Sequence, residues 1–244
     1  MKKKLLSIFV ILFLALPIFA FSGGPYMNYD LINDGTFFAK AFYGDTSLKT
    51  QNEIADNIRV HKFELGANLI WGDDKANGFD LRFRLKPHFG LSFLQNQNRY
   101  EVLYTYTYNN IQAFTYPKGM LAGNLGIEIG PDFCWHFNKV SFGFYPYAGV
   151  SIEGGLTNFE LYINTIYVKY KASVPFNYVN FIETLGITPY VKFEKFTVSL
   201  PFGISINSGN VTFTAKDINN KTFSDSCDFT YIDAFFKIEI GFLF

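Results

Sequence analysis

From Tyr231 to Phe244 apolar side chains alternate with polar or small ones, and the chain stops on an aromatic. Successive side chains of an extended segment point to opposite sides. Phe244, Phe242, Ile240, Ile238, Phe236, Ala234 and Ile232 therefore share one face, and Gly241, Glu239, Lys237 and Asp233 the other. Only Leu243 and Phe235 blur the polar face. The period predicts a strand that is apolar outside and polar inside, the pattern of a membrane-spanning β-strand around a polar lumen.

The rhythm recurs upstream. Phe79, Leu81, Phe83, Leu85, Phe89, Leu91 and Phe93 alternate with Asp80, Arg82, Arg84, Lys86, His88, Gly90 and Ser92. Pro87 takes the remaining apolar position and, having no N–H, should interrupt regular pairing there. Before it, Phe63, Leu65, Ala67, Leu69 and Trp71 oppose Glu64, Gly66 and Asn68, with Gly72–Gly78 as the turn. A second hairpin sets Leu121, Gly123, Leu125, Ile127, Ile129, Phe133 and Trp135 against Asp132, Glu128 and small residues, turns at His136–Lys139, and returns over Val140–Glu153. A third spans Val179–Asn207 with its turn at Glu194-Lys195.

Short turns alternate with long connections, at about Gly44–Asn57, Leu94–Gly119, Gly154–Tyr178 and Ser208–Asp228. The expected fold is all-β, an antiparallel up-and-down transmembrane barrel of eight strands with short periplasmic turns and long external loops. An even count needs one strand before the first loop, and Gly35–Tyr43 fits, with Phe37, Ala39, Ala41 and Tyr43 outward. The terminal strand should close against it. Tyr100–Tyr108 or Phe159–Lys169 would make ten strands if they formed a further hairpin; as upward extensions they leave eight.

Composition narrows the class. The chain is 49% hydrophobic and 20% aromatic, with 30 Phe and 16 Tyr, more aromatic residues than a soluble domain of 244 residues normally carries. Beyond its start it has no apolar run long enough for a membrane helix. At the start, Lys2, Lys3 and Lys4 precede an apolar run, Leu5–Phe21, ending in Ala20-Phe21-Ser22, so residues 1–22 read as a cleaved secretory signal and 23–244 as the barrel. The alternative, an N-terminal anchor, is short and interrupted by Pro17. Setting those three lysines aside leaves 18 basic residues against 21 acidic, a net charge of −3 that gives no nucleic-acid footprint. Cys134 and Cys227 fall near opposite ends of their strands, too far apart for a disulfide, so two free thiols are expected.

In this architecture the chain resembles the small eight-stranded outer-membrane barrels, the OmpA-like, OmpX-like and OmpW-like families of diderm bacteria. The sharpest shared motif is the carboxy-terminal one, Phe236, Ile238, Ile240, Phe242 and Phe244. The resemblance implies that these residues form the signal read by the barrel-assembly machinery. It further implies periplasmic chaperones and outer-membrane lipid as partners, and a monomer located in the outer membrane. Such a fold supports many functions.

Function has to be sought on the inward face. Glu64, Arg82, Arg84, Lys86, Glu128, Asp132, Glu153, Lys192, Asp233, Lys237 and Glu239 are expected to point inward. Placing Trp71 opposite Phe79 puts Glu64 near Lys86 and Asn68 near Arg82. Buried charges of both signs should pair, giving a lumen closed by a salt-bridge network; the alternative is a set of solvated side chains around water pockets. Eight strands enclose only enough room for side chains.

No enzyme, cofactor or metal is expected. His61, His88 and His136 have no metal-ligand spacing, and no nucleophile or phosphate-loop motif is present. His88 is expected as an inward hydrogen-bonding group, His61 near the outer rim and His136 in a turn. His61-Lys62-Phe63-Glu64 lacks the neighbouring Ser that a resemblance to barrel deacylases would require. Two function classes remain. One is a structural or surface-interaction barrel whose external Tyr100, Tyr104, Tyr106, Tyr108, Tyr116, Tyr162, Tyr167 and Tyr170 meet an unidentified ligand. The other is an OmpW-like narrow channel for small hydrophobic molecules.

Overall fold

A computed structural model of the protein describes residues 22–31, 58–72, 77–96, 106–108, 111–164, 169–216 and 222–244. Its strands are β1 (Ser22–Asp30), β2 (Ile58–Trp71), β3 (Asn77–Asn96), β4 (Tyr106–Tyr108), β5 (Ile111–Phe137), β6 (Val140–Asn164), β7 (Lys169–Phe193), β8 (Phe196–Ser199), β9 (Phe202–Lys216) and β10 (Thr222–Phe242). β8 and β9 both lie between β7 and β10 and act as one strand broken at Leu200 and Pro201. β4 only extends the edge of β5. The result is an antiparallel ring of eight strands, closed where β1 pairs β10 from Tyr26↔Gly241 to Asp30↔Lys237.

That closure corrects one expectation. Gly35–Tyr43 lies outside the described residues, and the partner of the terminal strand is Ser22–Asp30. Met27 and Tyr29 alternate with Tyr26 and Asn28, so the segment carries the same period, hidden by Gly23, Gly24 and Pro25 at its start. Ser22, placed at the end of the expected signal, is the first residue of this strand, and residues 1–21 lie outside those described. The long connections also shrink: β5, β6 and β7 run on through most of Ile111–Asn164 and Lys169–Tyr178, as upward extensions of the strands.

The short turns are tight. Asn138 and Glu194 take positive φ, 58° and 52°, as a two-residue hairpin loop demands. The Asn138 N–H donates to Asn77 Oδ1 at 2.9 Å, the Glu194 N–H to the Lys139 carbonyl at 2.8 Å, and the Leu243 N–H to the Lys195 carbonyl at 2.8 Å. This end of the ring is thereby tied to the last strand. The turn expected at His136–Lys139 narrows to Asn138-Lys139, because His136 still pairs with Ser141 in the ladder.

Prolines interrupt the ladders, each lacking a donor. Between Gly66↔His88 and Leu69↔Leu85 the β2–β3 pairing lapses at Pro87, as expected. Pro131 and Pro146 sit together in a second lapse, between Ile129↔Ala148 and Phe133↔Phe144. The first hairpin differs in register from the expectation: Trp71 faces Phe83, not Phe79, so β3 overhangs β2 in the stagger that a closed barrel requires. The slip is even-numbered, so every side chain keeps its face while its neighbours change.

Polarity along the ring is inverted relative to a soluble domain. Leu81, Leu121, Leu185, Ile232 and Phe244 are each at least 60% exposed on the outer face, whereas Asp132, Glu64, Arg84 and Glu239 are at most 2% exposed within. The carboxy-terminal set Phe236, Ile238, Ile240, Phe242 and Phe244 lies on the outer face. Leu243 and Phe235, which blurred the polar face in sequence, are buried in the interior.

Candidate functional site: the filled interior

Inward alternation from every strand around the ring brings the charged residues into one interior. Near the short turns, Asp132 on β5 is the hub. Its Oδ2 accepts from Arg82 Nη2 and Arg84 Nη2, both at 2.9 Å, and its Oδ1 accepts from the Tyr190 hydroxyl at 2.8 Å. Arg84 also lies over the Tyr190 ring, 4.6 Å from its centroid, and its Nη1 donates to Asn68 Oδ1 at 3.4 Å. Asn68 thus meets Arg84 and not Arg82, a consequence of the changed register.

A second cluster lies farther along. Lys86 Nζ donates to Glu239 Oε2 at 2.6 Å and contacts Glu128 at 3.4 Å; the same ammonium sits 4.3 Å above the Tyr26 ring. Glu64 does not pair with Lys86. It accepts from Lys237 Nζ at 2.6 Å and Asn124 Nδ2 at 3.1 Å, and Lys62 approaches at 3.6 Å. Lys62 continues to Glu153 at 3.4 Å, which also accepts from the Tyr178 hydroxyl at 3.1 Å. Nine of the expected inward residues thus join three salt-bridge groups, Arg82 and Arg84 on Asp132, Lys86 between Glu128 and Glu239, and Lys237, Glu64, Lys62 and Glu153 in a chain; Lys192 and Asp233 share the inward face but are only half-buried.

Such pairing decides how the interior can hold charge at all. An isolated buried ion costs several kcal/mol, and attraction offsets this only where hydrogen bonds satisfy the remaining donors and acceptors. The tyrosines supply much of that completion, and they were missed in sequence. Tyr145 and Tyr147 stack at 5.3 Å between centroids and fill the lumen with Phe235. Each occupies an inward position between outward Phe144, Pro146 and Ala148, so parity alone could have found them. Their room comes from glycines: a Cβ at Gly186 would stand 2.7 Å from the Tyr147 ring, and one at Gly143 would collide with Tyr190. Lys62 was likewise missed, although it precedes Glu64 on the same face.

The histidines separate into three environments. His61 faces outward in an aromatic cluster, its Nδ1 2.6 Å from the Tyr29 hydroxyl and its ring 5.2 Å from Phe93. His88 faces inward as expected, 3.9 Å from Glu64. His136 departs from its expected place in a turn: it is 5% exposed inside the ring, with Ser141 Oγ 2.9 Å from Nδ1 and Asp80 Oδ2 3.0 Å from Nε2. A Ser, a His and an Asp in contact resemble a hydrolytic triad in composition. Here Ser141 and His136 are direct ladder partners, and all three side chains are at most 5% exposed, so the contact joins β3, β5 and β6 beside the turn.

Above the second cluster lies a chamber of about 120 Å³, walled by Lys62, Glu64, His88, Glu153, Asn180 and Asn207 among others. Cys134 is buried and free, and Cys227 lies in register with Val211, far from the turn end. Among the described residues no group of three or more His, Cys, Asp or Glu is arranged to hold a metal ion. No protein-family model matches the chain, and no curated protein matches it in sequence.

Proposed function

We propose that the chain is a non-enzymatic outer-membrane barrel, structural or interaction-bearing, whose lumen is plugged. The observation that carries this reading is the inverted polarity of the ring: an apolar, exposed outer face around an interior of mutually paired charges. A continuous apolar exterior of this kind is stable against lipid and a liability in water. The short turns face the periplasm in this reading, and the extended ends of β5, β6 and β7 rise outside, carrying Tyr116, Tyr162 and Tyr170 towards an external ligand. Tyr106 and Tyr108 stand on β4, which pairs with the same stretch of β5; Tyr100, Tyr104 and Tyr167 lie outside the described residues. Residues 1–22 would direct secretion, and the aromatic terminus would engage the assembly machinery.

The OmpW-like alternative needs an apolar channel above the charged layer. The chamber found there has lysine, glutamate and asparagine walls, which favours the plugged reading. Planar-bilayer recording on folded protein, with a heat-dependent shift in gel mobility to verify folding, separates the two. A silent bilayer is expected. Steady openings altered by Arg84→Ala or Lys86→Ala would overturn the plug and support transport.

A further inference from the structure

We infer that Asn77 is a site of spontaneous covalent modification, where cyclisation onto the Gly78 nitrogen releases ammonia and leaves aspartate or isoaspartate. Asparagine is thermally labile, and Asn77-Gly78 is the one Asn-Gly step in the sequence. Sequence alone indicates only a labile dipeptide. The structure adds three observations. Both residues are exposed, and a Cβ at Gly78 would meet nothing within 4 Å, so no side chain shields the attacking nitrogen. They begin β3, where the ladder runs on one side only: Asn77 and Gly78 pair with Phe137 and His136 of β5, whereas pairing with β2 starts, among the described residues, at Phe83. A strand end held from one side opens locally at small cost. Third, the Asn138 N–H donates to Asn77 Oδ1 at 2.9 Å. Negative charge develops on that oxygen as the ring closes, and a fixed N–H at this distance stabilises it.

Water is the only co-reactant. The Gly78 nitrogen loses its proton and bonds to Cγ of Asn77, the Cγ–Nδ2 bond breaks, and ammonia leaves. Water then opens the cyclic imide at either carbonyl. Opening at Cγ gives aspartate on an unchanged backbone; opening at the main-chain carbonyl gives isoaspartate, whose main chain runs through the β carbon. The extra main-chain carbon moves residue 77 out of register with Phe137 and takes its oxygen away from the Asn138 N–H, so the first hairpin is released from the second turn. Asn207-Ser208 supplies the contrast within the chain. It is the one Asn-Ser step, but Asn207 is 4% exposed and pairs on both sides, with Tyr231 and Ile182.

The site needs only the two hairpins, so its failure would leave the membrane reading intact. The test is peptide mapping by mass spectrometry, with fragmentation that separates isoaspartate from aspartate. It compares the full chain folded in detergent with the same chain in urea, both incubated at mildly alkaline pH. The folded chain should gain both isomers at residue 77 and convert at least about tenfold more slowly at Asn207. Hydrogen exchange at the Asn138 amide should quicken at least about tenfold in the converted fraction, and Asn77→Gln, whose longer side chain does not close the same ring, should show no such change over the incubation. An unmodified Asn77 in folded protein once the chain in urea has converted, aspartate without isoaspartate, or equal conversion at Asn207 would each overturn the assignment. Exchange at Asn138 that ignores the conversion would overturn the release of the second turn.

Discussion

Asp132 is the hub of the arginine group. One carboxylate holds two guanidinium groups and a phenol, all within 2.9 Å, at a position with no solvent exposure. Asp132→Asn would keep the shape but leave Arg82 and Arg84 buried opposite a neutral amide. Removing one partner of a buried pair costs about 3–5 kcal/mol. Denaturant titration of folded protein in micelles, followed by the fluorescence of Trp71 and Trp135, should register a loss of that size; a change below about 1 kcal/mol would mean that water screens the hub. Tyr190→Phe should cost less, about 1–2 kcal/mol, because both arginines keep their carboxylate.

Individual strands and turns differ in how far sequence alone specifies them. Alternation identified the faces of β3, β5, β6 and β10 residue by residue, because a side-chain period of two survives any even change of register. It could not supply the register itself. Trp71 opposite Phe79 and Trp71 opposite Phe83 place the same residues inside, so the interior set was legible while the pairings of Glu64 and Asn68 were not. β1 escaped for another reason: Ser22, Gly23, Gly24 and Pro25 give a strand no apolar period, and closure with β10 makes one of them. At the turns, Lys139 and Glu194 are fully solvent-exposed and pair across adjacent hairpins at 2.9 Å. The hydrogen bond from Lys139 holds the Glu194 carboxyl below the ordinary glutamate range and raises the Lys139 ammonium. A lowered carboxyl pKa stabilises the fold above the ordinary glutamate value and loses that contribution as pH falls through the lowered one. NMR titration should therefore find Glu194 ionised to lower pH than a free glutamate, and Lys139→Ala should restore the ordinary value; an unshifted Glu194 would remove the pair from solution.

At the scale of the whole ring, the described residues are ordered by an inversion: charges are gathered and paired inside, and apolar side chains are left outside. Eight strands leave a bore narrow enough for side chains to occupy, and Tyr145 and Tyr147, stacked on each other with glycines beside them, pack there alongside the buried charges. In the reading proposed above, lipid covers this exterior. The most direct test labels cysteines introduced singly at positions 236 to 242 of β10 with nitroxide, in protein folded into lipid vesicles, and measures collision with molecular oxygen, which concentrates in the hydrocarbon. Even-numbered positions should show high oxygen contact and odd-numbered positions low contact, in strict alternation. Uniform contact along the strand, or even-numbered positions that collide preferentially with a water-soluble relaxant, would contradict a membrane-spanning ring.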